Sequence, residues 1–527
     1  MAPIGPVPPL VLRVLVLACL LISTAYAQCP IYTNYANARH EPFSTGRWNL
    51  SSMRPIPPCR TFYSEDMERE VERIKGVIVD PDLFRLFENA WPSTLDTTIG
   101  WKGLSNVTEK EDGQMEDPAE LSFVITGDIE AMWLRDSANQ LQAYVSLLKA
   151  DGGKDNSSLA SLFRGAINLQ ARYILGDPFC NAFQSPDESG IPHHSSQNSD
   201  KISPPYDYFR VFSCQWELDS VASFLQLSHD YYSATGDWEF FGKHNWTRAV
   251  TKVLNITQSM TIDSYAEDGT WQHTPYTYCA PYGGTPINDC NGSPHRGNIG
   301  LVRSFQRPSD DSCIYQYLIP SNMMYSVALN LSSSIMAQLE PSTSQPLTAR
   351  MRNMSTSIRT GIETHAVIND PIHGPIYAYE IDGYGSVILM DDPNLPSLLS
   401  APFIGYTPAS NPVYQNTRAR ILSRSNPYYA WGPAISGVAS MHTRPGKPWP
   451  MANIMTILTS DDDDEIVANL KWLVQSTDGL GLMHESVDAH DAGVWSRQWF
   501  SWANGLFGVM VLDLEKRRPH LLKMGFQ

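Results

Sequence analysis

The chain has 527 residues, of which 18% are charged and 11% are aromatic, and its formal net charge is −17. This composition predicts a folded protein with a large core and argues against disorder. The negative charge disfavours nucleic acid or an anionic membrane as a partner, and it is compatible with a neutral ligand such as a carbohydrate.

Residues 1–27 have the pattern of a signal peptide. Arg13 precedes an apolar run over residues 14–22, and Ala25 and Ala27 fit a cleavage site before Gln28. An uncleaved anchor is the alternative, but the run is shorter than the ~20 apolar residues that span a bilayer. We therefore expect a protein that is secreted or lies in the lumen of the secretory pathway, with no membrane contact after leader cleavage.

The cysteines and glycosylation sequons agree with an oxidising compartment. No pair has the C-x-x-C spacing of a zinc site, so disulfides are expected. The expected pairs are Cys279 with Cys290, which a short Gly- and Pro-rich loop can join, Cys29 with Cys59, and Cys180 with Cys214, which leaves Cys313 free. Asn-x-Ser/Thr sequons, which predict a glycoprotein, occur at Asn49, Asn106, Asn156, Asn245, Asn255, Asn291, Asn330 and Asn353.

Residues 28–60 lack a hydrophobic period and predict an extended arm. Apolar residues then recur at helical spacing in many segments from Met67 onward, and Gly236 is placed to end one of these helices. Ser321 is expected to cap a helix whose apolar stripe starts at Met324. The acidic run over residues 461–465 fits the first turn of another helix, where it complements the helix dipole.

One clear strand signal lies between residues 375 and 392. Side chains alternate along residues 376–382, the segment after Asp382 resembles a turn, and residues 387–390 return, which predicts a β-hairpin. Long loops rather than strands separate the helices, which excludes a parallel α/β fold. A barrel of paired helices fits residues 61–527, and periodicity alone does not separate it from an irregular helical bundle.

Trp133, Asp136 and Gln140 share one stripe of a predicted helix. An aromatic ring, a carboxylate and an amide that face the same way are suited to binding a sugar. The alternative is structural, with Arg135 paired to Asp136 at the helix start and Trp133 in the core. The two interpretations remain equal on spacing alone.

Other acidic positions have competing interpretations as well. Glu217 and Asp219 fit capping of a helix start better than catalysis. Glu380 and Asp382 share a strand face, which is costly unless a ligand, water or cation meets them. His484 either orients Glu485 or is a satisfied surface histidine. These residues favour a carbohydrate-active hydrolase with two carboxyl groups, without excluding a binding protein.

Long motifs of the chain resemble the exo-α-1,6-mannosidases of glycoside hydrolase family 125, in their fungal, secretory form. They follow in order from about residue 65 to 515 and are highly specific. The motifs include Asp128-Ile129-Glu130-Ala131-Met132-Trp133-Leu134-Arg135-Asp136-Ser137, Glu217-Leu218-Asp219-Ser220, Arg307-Pro308-Ser309-Asp310-Asp311, Ala378-Tyr379-Glu380-Ile381-Asp382-Gly383, Leu389-Met390-Asp391-Asp392 and Met483-His484-Glu485-Ser486. The segment Gly437-Val438-Ala439-Ser440-Met441-His442 departs from the Gly-Ile-Gly-Ser-Pro-His pattern of the family, which bears on loop shape and fine specificity.

The resemblance implies an all-α fold, an (α/α)6 barrel with long loops, and a hairpin near the active site. It implies inverting hydrolysis of terminal α-1,6-linked mannose without a metal or other cofactor. The general acid corresponds to Asp311 and the general base to Glu485, and Asp310 is the main rival for the acid because adjacent residues rarely both point into one site. Substrate contacts are expected from Trp133, Arg135, Asp136, Gln140, Arg307, Asp310, Glu380, Asp382 and His484. The expected partners are mannose-containing glycans, and the protein is expected to be a monomer.

Two other functions compete with this prediction. One is a different exo-glycosidase on the same barrel, such as a calcium-dependent α-1,2-mannosidase or a glucoamylase-like enzyme. The other is a mannan-binding protein whose active site has decayed. The presence of Asp311, Glu485 and Arg307 favours the enzyme, and activity on linkage-defined mannobioses separates the three.

Overall fold

Helices form most of the regular structure. The computed structural model describes residues 29–106, 117–153, 155–193, 200–279 and 288–526, so the predicted leader lies outside the described residues. The α-helices in these ranges are α1 Tyr32–Tyr35, α2 Glu65–Lys75, α3 Pro81–Ala90, α4 Ser93–Thr97, α5 Leu134–Gln142, α6 Leu159–Gly176, α7 Leu218–Thr235, α8 Phe240–Lys243, α9 Trp246–Ser259, α10 Ile319–Met336, α11 Pro341–His365, α12 Pro412–Ile421, α13 Pro450–Leu458, α14 Asp463–Gln475 and α15 Ser501–Arg517.

Short strands lie in the loops between these helices and form small antiparallel sheets. They are β1 Ile99–Leu104, β2 Glu120–Val124, β3 Met132–Trp133, β4 Ala182–Phe183, β5 Lys201–Ser203, β6 Val211–Ser213, β7 Thr277–Cys279, β8 Tyr317–Leu318, β9 Val367–Asp370, β10 Gly374–Tyr377, β11 Glu380–Ile381, β12 Val387–Ile388, β13 Tyr429–Ala430, β14 Gly437–Val438, β15 Ser486–Val487 and β16 Trp495–Ser496.

The long helices pack side by side around one large apolar core. α15 packs against α3, α5 and α13, α5 against α7, and α7 against α6 and α10, while α11 packs on α10 and α14 on α13. Buried apolar side chains from these helices belong to one continuous cluster, whose burial is the main favourable contribution to folding. The chain is therefore mostly helical, and closure of six helix pairs into a barrel stays a prediction.

Local signals explain where several helices begin and end. α7 ends at Thr235, and Gly236 follows with a φ of 70°, which a glycine adopts without strain. The Asp462 carboxylate caps α14 by accepting from the backbone N–H groups of Asp464 and Glu465. The predicted cap at Ser321 is wrong because α10 already begins at Ile319. The Ser321 hydroxyl lies inside that helix and donates to Asp219 Oδ1 at 3.0 Å.

Residues 29–60 contain α1 and a 3-10 turn at Pro57–Cys59 and otherwise lack helices and strands. They nevertheless pack against the helical body, because Leu50 and Met53 are buried. Arg54 in this segment donates to Glu68 Oε1 at 2.6 Å and to Asp96 Oδ2 at 2.7 Å. The domain boundary near residue 60 stays a prediction.

The disulfide pairing follows the prediction from the sequence. Bridges join Cys29 to Cys59, Cys180 to Cys214, and Cys279 to Cys290, and among the described cysteines Cys313 is free and buried. Three bridges fit an oxidising compartment. In the described ranges, no helix has the length and apolar character needed to cross a membrane.

The predicted hairpin is present, although it is shorter than expected. β11 pairs with β12, and the Asp382 carboxylate closes the turn by accepting from the backbone N–H groups of Tyr384, Gly385 and Ser386. The first part of the predicted strand, Gly374–Tyr377, instead pairs with β9 in a separate hairpin. β11 also pairs with β8, which follows the loop that carries Asp310 and Asp311.

Candidate active site

A cleft brings together residues from distant parts of the sequence. Its lining mixes aromatic rings with carboxylates, a combination that suits a hydroxyl-rich ring compound. The lining residues are Thr126, Ile129, Trp133, Arg135, Asp136, Pro308, Ser309, Asp310, Asn394, His442, Trp449, Glu485, Arg497 and Phe500.

Trp133 and Asp136 lie at the start of α5. Trp133 ends β3, which pairs with β4, and its indole is 8% exposed and contacts Phe212 edge to face at 5.4 Å. One helical turn later, Asp136 faces the same cleft. Trp133 and Asp136 therefore face one cleft, as their spacing predicted. Trp133 lies in β3 before the helix, however, and the third residue of the predicted stripe, Gln140, does not line the cleft.

Arg135 is the centre of a buried cluster of charges. Its Nη1 lies 2.7 Å from Glu217 Oε2 and 3.1 Å from Asp219 Oδ2, and its Nη2 lies 3.3 Å from Asp136 Oδ2. Burial raises the pKa of Asp136 to about 6, and burial together with the nearby Asp310 holds the pKa of Glu217 well above its usual range. Carboxyl groups thus outnumber the cation, so protons or a ligand must balance the cluster.

Several polar atoms around this cluster are buried without a hydrogen-bond partner. In the described part of the chain they include Asp136 Oδ2, Glu217 Oε1, Asp310 Oδ1 and Asn394 Nδ2. Such atoms cost about 1–3 kcal/mol each when they stay unsatisfied. Three of the four residues line the cleft, where hydroxyl groups of a sugar can supply the missing donors and acceptors.

A small hairpin holds Glu485. The residues that follow it form β15, which pairs with β16 so that Ser496 and Arg497 reach the Glu485 carboxylate. The Ser496 hydroxyl donates to Oε2 at 2.8 Å, and Arg497 Nε donates to Oε1 at 3.1 Å. Asp128 accepts a hydrogen bond from the other end of the same guanidinium. Glu485 is thereby oriented on both oxygens while it faces the cleft.

The two neighbouring aspartates point in different directions. Asp310 lines the cleft, has a φ of 64°, and lies 4.0 Å from Arg135 Nη2. A left-handed backbone at a residue other than glycine stores strain, which is common at functional sites. Asp311 accepts from the Ser309 hydroxyl at 3.0 Å and lies 3.7 Å from His442 Nδ1.

Comparison with known proteins places the chain in a family. The family model described as metal-independent alpha-mannosidase (GH125) matches residues 80–512. The chain belongs to glycoside hydrolase family 125. The resemblance found in the sequence motifs is confirmed, and the chain belongs to the glycoside hydrolases and, among them, to the α-mannosidases.

Two family relatives show how far the likeness extends. The chain is 43% identical over 507 residues to the meiotically up-regulated gene 157 protein of Schizosaccharomyces pombe, covering 95% of this chain and 96% of that one. It is 33% identical to a Streptococcus pneumoniae metal-independent α-mannosidase solved in a non-productive complex with α-1,6-mannobiose. That match has a TM-score of 0.73 and covers 87% of this chain and all of the other. The likeness therefore spans nearly the whole chain.

Five residues that were expected to contact substrate in this family 125 site lie outside the cleft lining. They are Gln140, Arg307, Glu380, Asp382 and His484. Arg307 Nε donates to Glu380 Oε1 at 2.6 Å, and both side chains are fully buried. Glu380 Oε2 also accepts from the backbone N–H groups of Ile314 and Tyr315, so this pair shapes the loop after the two aspartates.

The other three also have protein partners. Gln140 Nε2 donates to Thr98 Oγ1, the Ile125 carbonyl and Ser501 Oγ at 3.0–3.1 Å. Asp382 closes the turn of its hairpin. His484 stacks on Trp495, and burial lowers its pKa to about 4, so the ring is neutral. Gln140 Oε1 and His484 Nε2 are nevertheless buried without a hydrogen-bond partner, so these contacts satisfy only part of those two polar groups.

The cleft and support residues that sequence reasoning missed in this family 125 chain include Asn394, His442, Ser496 and Arg497. Ser496 ends β16, which pairs beside Glu485, and Arg497 follows it, but a two-residue strand has no readable hydrophobic period. Asn394 lies two residues after the Asp391-Asp392 motif, and His442 ends the motif that departs from the family pattern. The positions of Asn394 and His442 beside these motifs were the signals in the sequence that could have indicated a role in the site.

The described residues hold no group of three or more His, Cys, Asp or Glu side chains arranged to bind a metal ion.

Proposed function

We propose that the chain is an exo-acting α-mannosidase that removes terminal, non-reducing α-1,6-linked mannose with inversion of configuration. The observation that carries this proposal is that Glu485, Asp310 and the Arg135–Asp136 pair line one cleft in a member of family 125. The mannobiose complex of the S. pneumoniae relative supports the linkage. The proposed enzyme works as a monomer on mannose-containing glycans, in the secretory lumen or outside the cell after leader cleavage.

The proposed chemistry assigns a role to each part of the cleft. The terminal mannose binds with its ring on Trp133 and with its hydroxyls on Asp136, Arg135 and Asn394. Glu485, oriented by Ser496 and Arg497, takes a proton from water as the water oxygen attacks the anomeric carbon. An aspartic acid on the other side gives its proton to the glycosidic oxygen as the old bond breaks. The product first released is β-mannose.

The linkage and the stereochemistry are tested in one experiment. We expect hydrolysis of α-1,6-mannobiose in preference to the α-1,2 isomer, unaffected by a chelator, and proton NMR of the fresh product should show the β anomer first. Initial formation of the α anomer contradicts inversion. Preference for the α-1,2 isomer, with loss of activity on chelation, supports the calcium-dependent alternative. Binding of the disaccharides without hydrolysis supports a mannan-binding protein.

Within this proposal, Asp310 is the better-supported proton donor. The motif places the acid at Asp311 with Asp310 as its rival. Asp310 lines the cleft beside Arg135, whereas Asp311 faces Ser309 and His442. A group that protonates the glycosidic oxygen must reach hydrogen-bond distance of it, about 2.6–3.2 Å.

Leaving-group dependence separates the two aspartates. We expect Asp310→Asn to lower kcat on α-1,6-mannobiose by about 10²- to 10⁴-fold. The loss should shrink on an aryl α-mannoside whose phenolate leaves without protonation. Asp311→Asn should cost less and should cost the same on both substrates. If the two variants exchange these patterns, Asp311 is the acid.

A further inference from the structure

His442 is held in a defined position at the wall of the cleft. It lies in a 3-10 turn, Met441–Thr443, whose first residue follows Ser440. The Ser440 hydroxyl accepts from the His442 backbone N–H at 3.3 Å and donates to the buried Asp392 carboxylate at 2.7 Å. The imidazole lies against the Trp449 ring, with 6.4 Å between centroids. The contacts with Ser440 and Asp392 therefore fix the backbone at His442, and Trp449 lies beside its ring.

The surroundings of this imidazole are mainly acidic. His442 Nδ1 lies 3.7 Å from Asp311 Oδ1, and Glu485 and Asp310 act on it from the same cleft. Cations in the surroundings include Arg307, whose Nη1 lies 3.2 Å from the sulfur of Met441, and Arg444, which follows the 3-10 turn. Arg135 and Arg497 lie in the cleft lining. Asp311 is the largest influence and outweighs burial, so the pKa of His442 is raised to about 8.

We propose that His442 is a positioning residue whose imidazolium pairs with Asp311 and holds that side chain turned away from substrate, so that Asp310 alone delivers the proton. This inference rests on the proposed hydrolase activity and deepens it. It assigns a function to the histidine of the segment over residues 437–442, a position at which this chain keeps the family pattern. It also gives the neighbouring aspartates different tasks, one as proton donor and one as the counter-ion of a histidine.

The stabilisation that the ion pair between His442 and Asp311 contributes should depend on pH in a known direction. The folded-state pKa of His442 lies above the ordinary histidine value near 6.5, so the stabilisation by the ion pair is complete below about pH 6.5. It is lost as the pH rises through about 8. Between these values the enzyme should lose the orienting cation.

A double-mutant cycle with pH profiles tests the proposal. We expect His442→Gln to lower kcat at pH 6 by about 10- to 100-fold and to remove an alkaline inflection near pH 8 from the wild-type profile. In an Asp311→Asn background the same substitution should have little further effect, because the partner is gone. His365→Gln, at the exposed end of α11, is the matched control and should leave the profile unchanged. Additive losses, or an inflection that persists in His442→Gln, overturn the proposal.

A second readout does not depend on catalysis. The difference in Tm between wild type and His442→Gln should be largest at pH 6 and should vanish by about pH 9. If the wild type hydrolyses no α-mannoside, the proposed function fails, and the Tm difference still reports whether the ion pair exists. A Tm difference that is constant across this pH range contradicts the ion pair itself.

Discussion

Glu485→Gln is expected to reduce kcat on α-1,6-mannobiose by about 10²- to 10⁴-fold, because the amide cannot accept a proton from the attacking water. The amide has the size of the carboxylate, and its oxygen can still accept from Arg497 while its NH₂ group faces the Ser496 hydroxyl, which can rotate to accept. Substrate binding and Tm should therefore stay near wild type. Initial-rate kinetics, calorimetric titration with the disaccharide and a thermal melt measure the three quantities.

Ser496→Ala is the matched control for this experiment. It removes one hydrogen bond to the same carboxylate and leaves the base itself in place, so its loss in kcat should be far smaller than that of Glu485→Gln. A Glu485→Gln variant that retains more than a tenth of wild-type kcat contradicts the assignment of the base.

Arg307→Met is expected to lower the free energy of unfolding by about 3–5 kcal/mol. The substitution leaves Glu380 as a buried carboxylate without its cation, and uncompensated buried charges are among the most destabilising changes known in folded proteins. Both side chains of this pair are fully buried. Urea denaturation of the two proteins under identical conditions measures the difference.

Two further variants show whether the isolated charge is the cause. Adding Glu380→Gln to Arg307→Met should recover most of the loss, because the amide oxygen still accepts from the Ile314 and Tyr315 backbone while the buried charge is gone. Arg69→Met breaks an exposed pair with Glu65 in α2 and should cost less than about 1 kcal/mol. Equal losses at the buried and the exposed pair contradict the argument from burial.

Features encoded by a few neighbouring residues could be predicted from the sequence. Gly236 ends α7, Asp462 caps α14, and Asp382 closes a turn, since each signal acts within four residues. Ser321 shows the limit of this reasoning. Its hydroxyl could have capped a helix, but the tertiary fold supplies Asp219, 102 residues earlier, as its partner.

Residues of the candidate site could be predicted where they belong to a specific motif. They were missed where a hydrogen-bond partner from a distant segment determines their role. Trp133, Asp136, Asp310 and Glu485 do line the cleft. The sequence around Glu380 predicted a substrate contact, yet the Glu380 carboxylate is paired with Arg307, a residue 73 positions away. Hydrogen-bond donors from remote segments have no local signature, so the sequence cannot distinguish an acid that awaits a ligand from one that is already paired.

The contact between Asp128 and Arg497 spans 369 residues, and that between Gln140 and Ser501 spans 361. A ribosome that adds about 5–20 residues per second delivers Glu485 long after Asp128 and Gln140. Both walls of the cleft exist together only after the segment that carries Glu485, Ser496 and Arg497 has left the exit tunnel and docked. A nascent chain that stops before this segment therefore lacks the hairpin that holds Glu485, and with it the complete cleft.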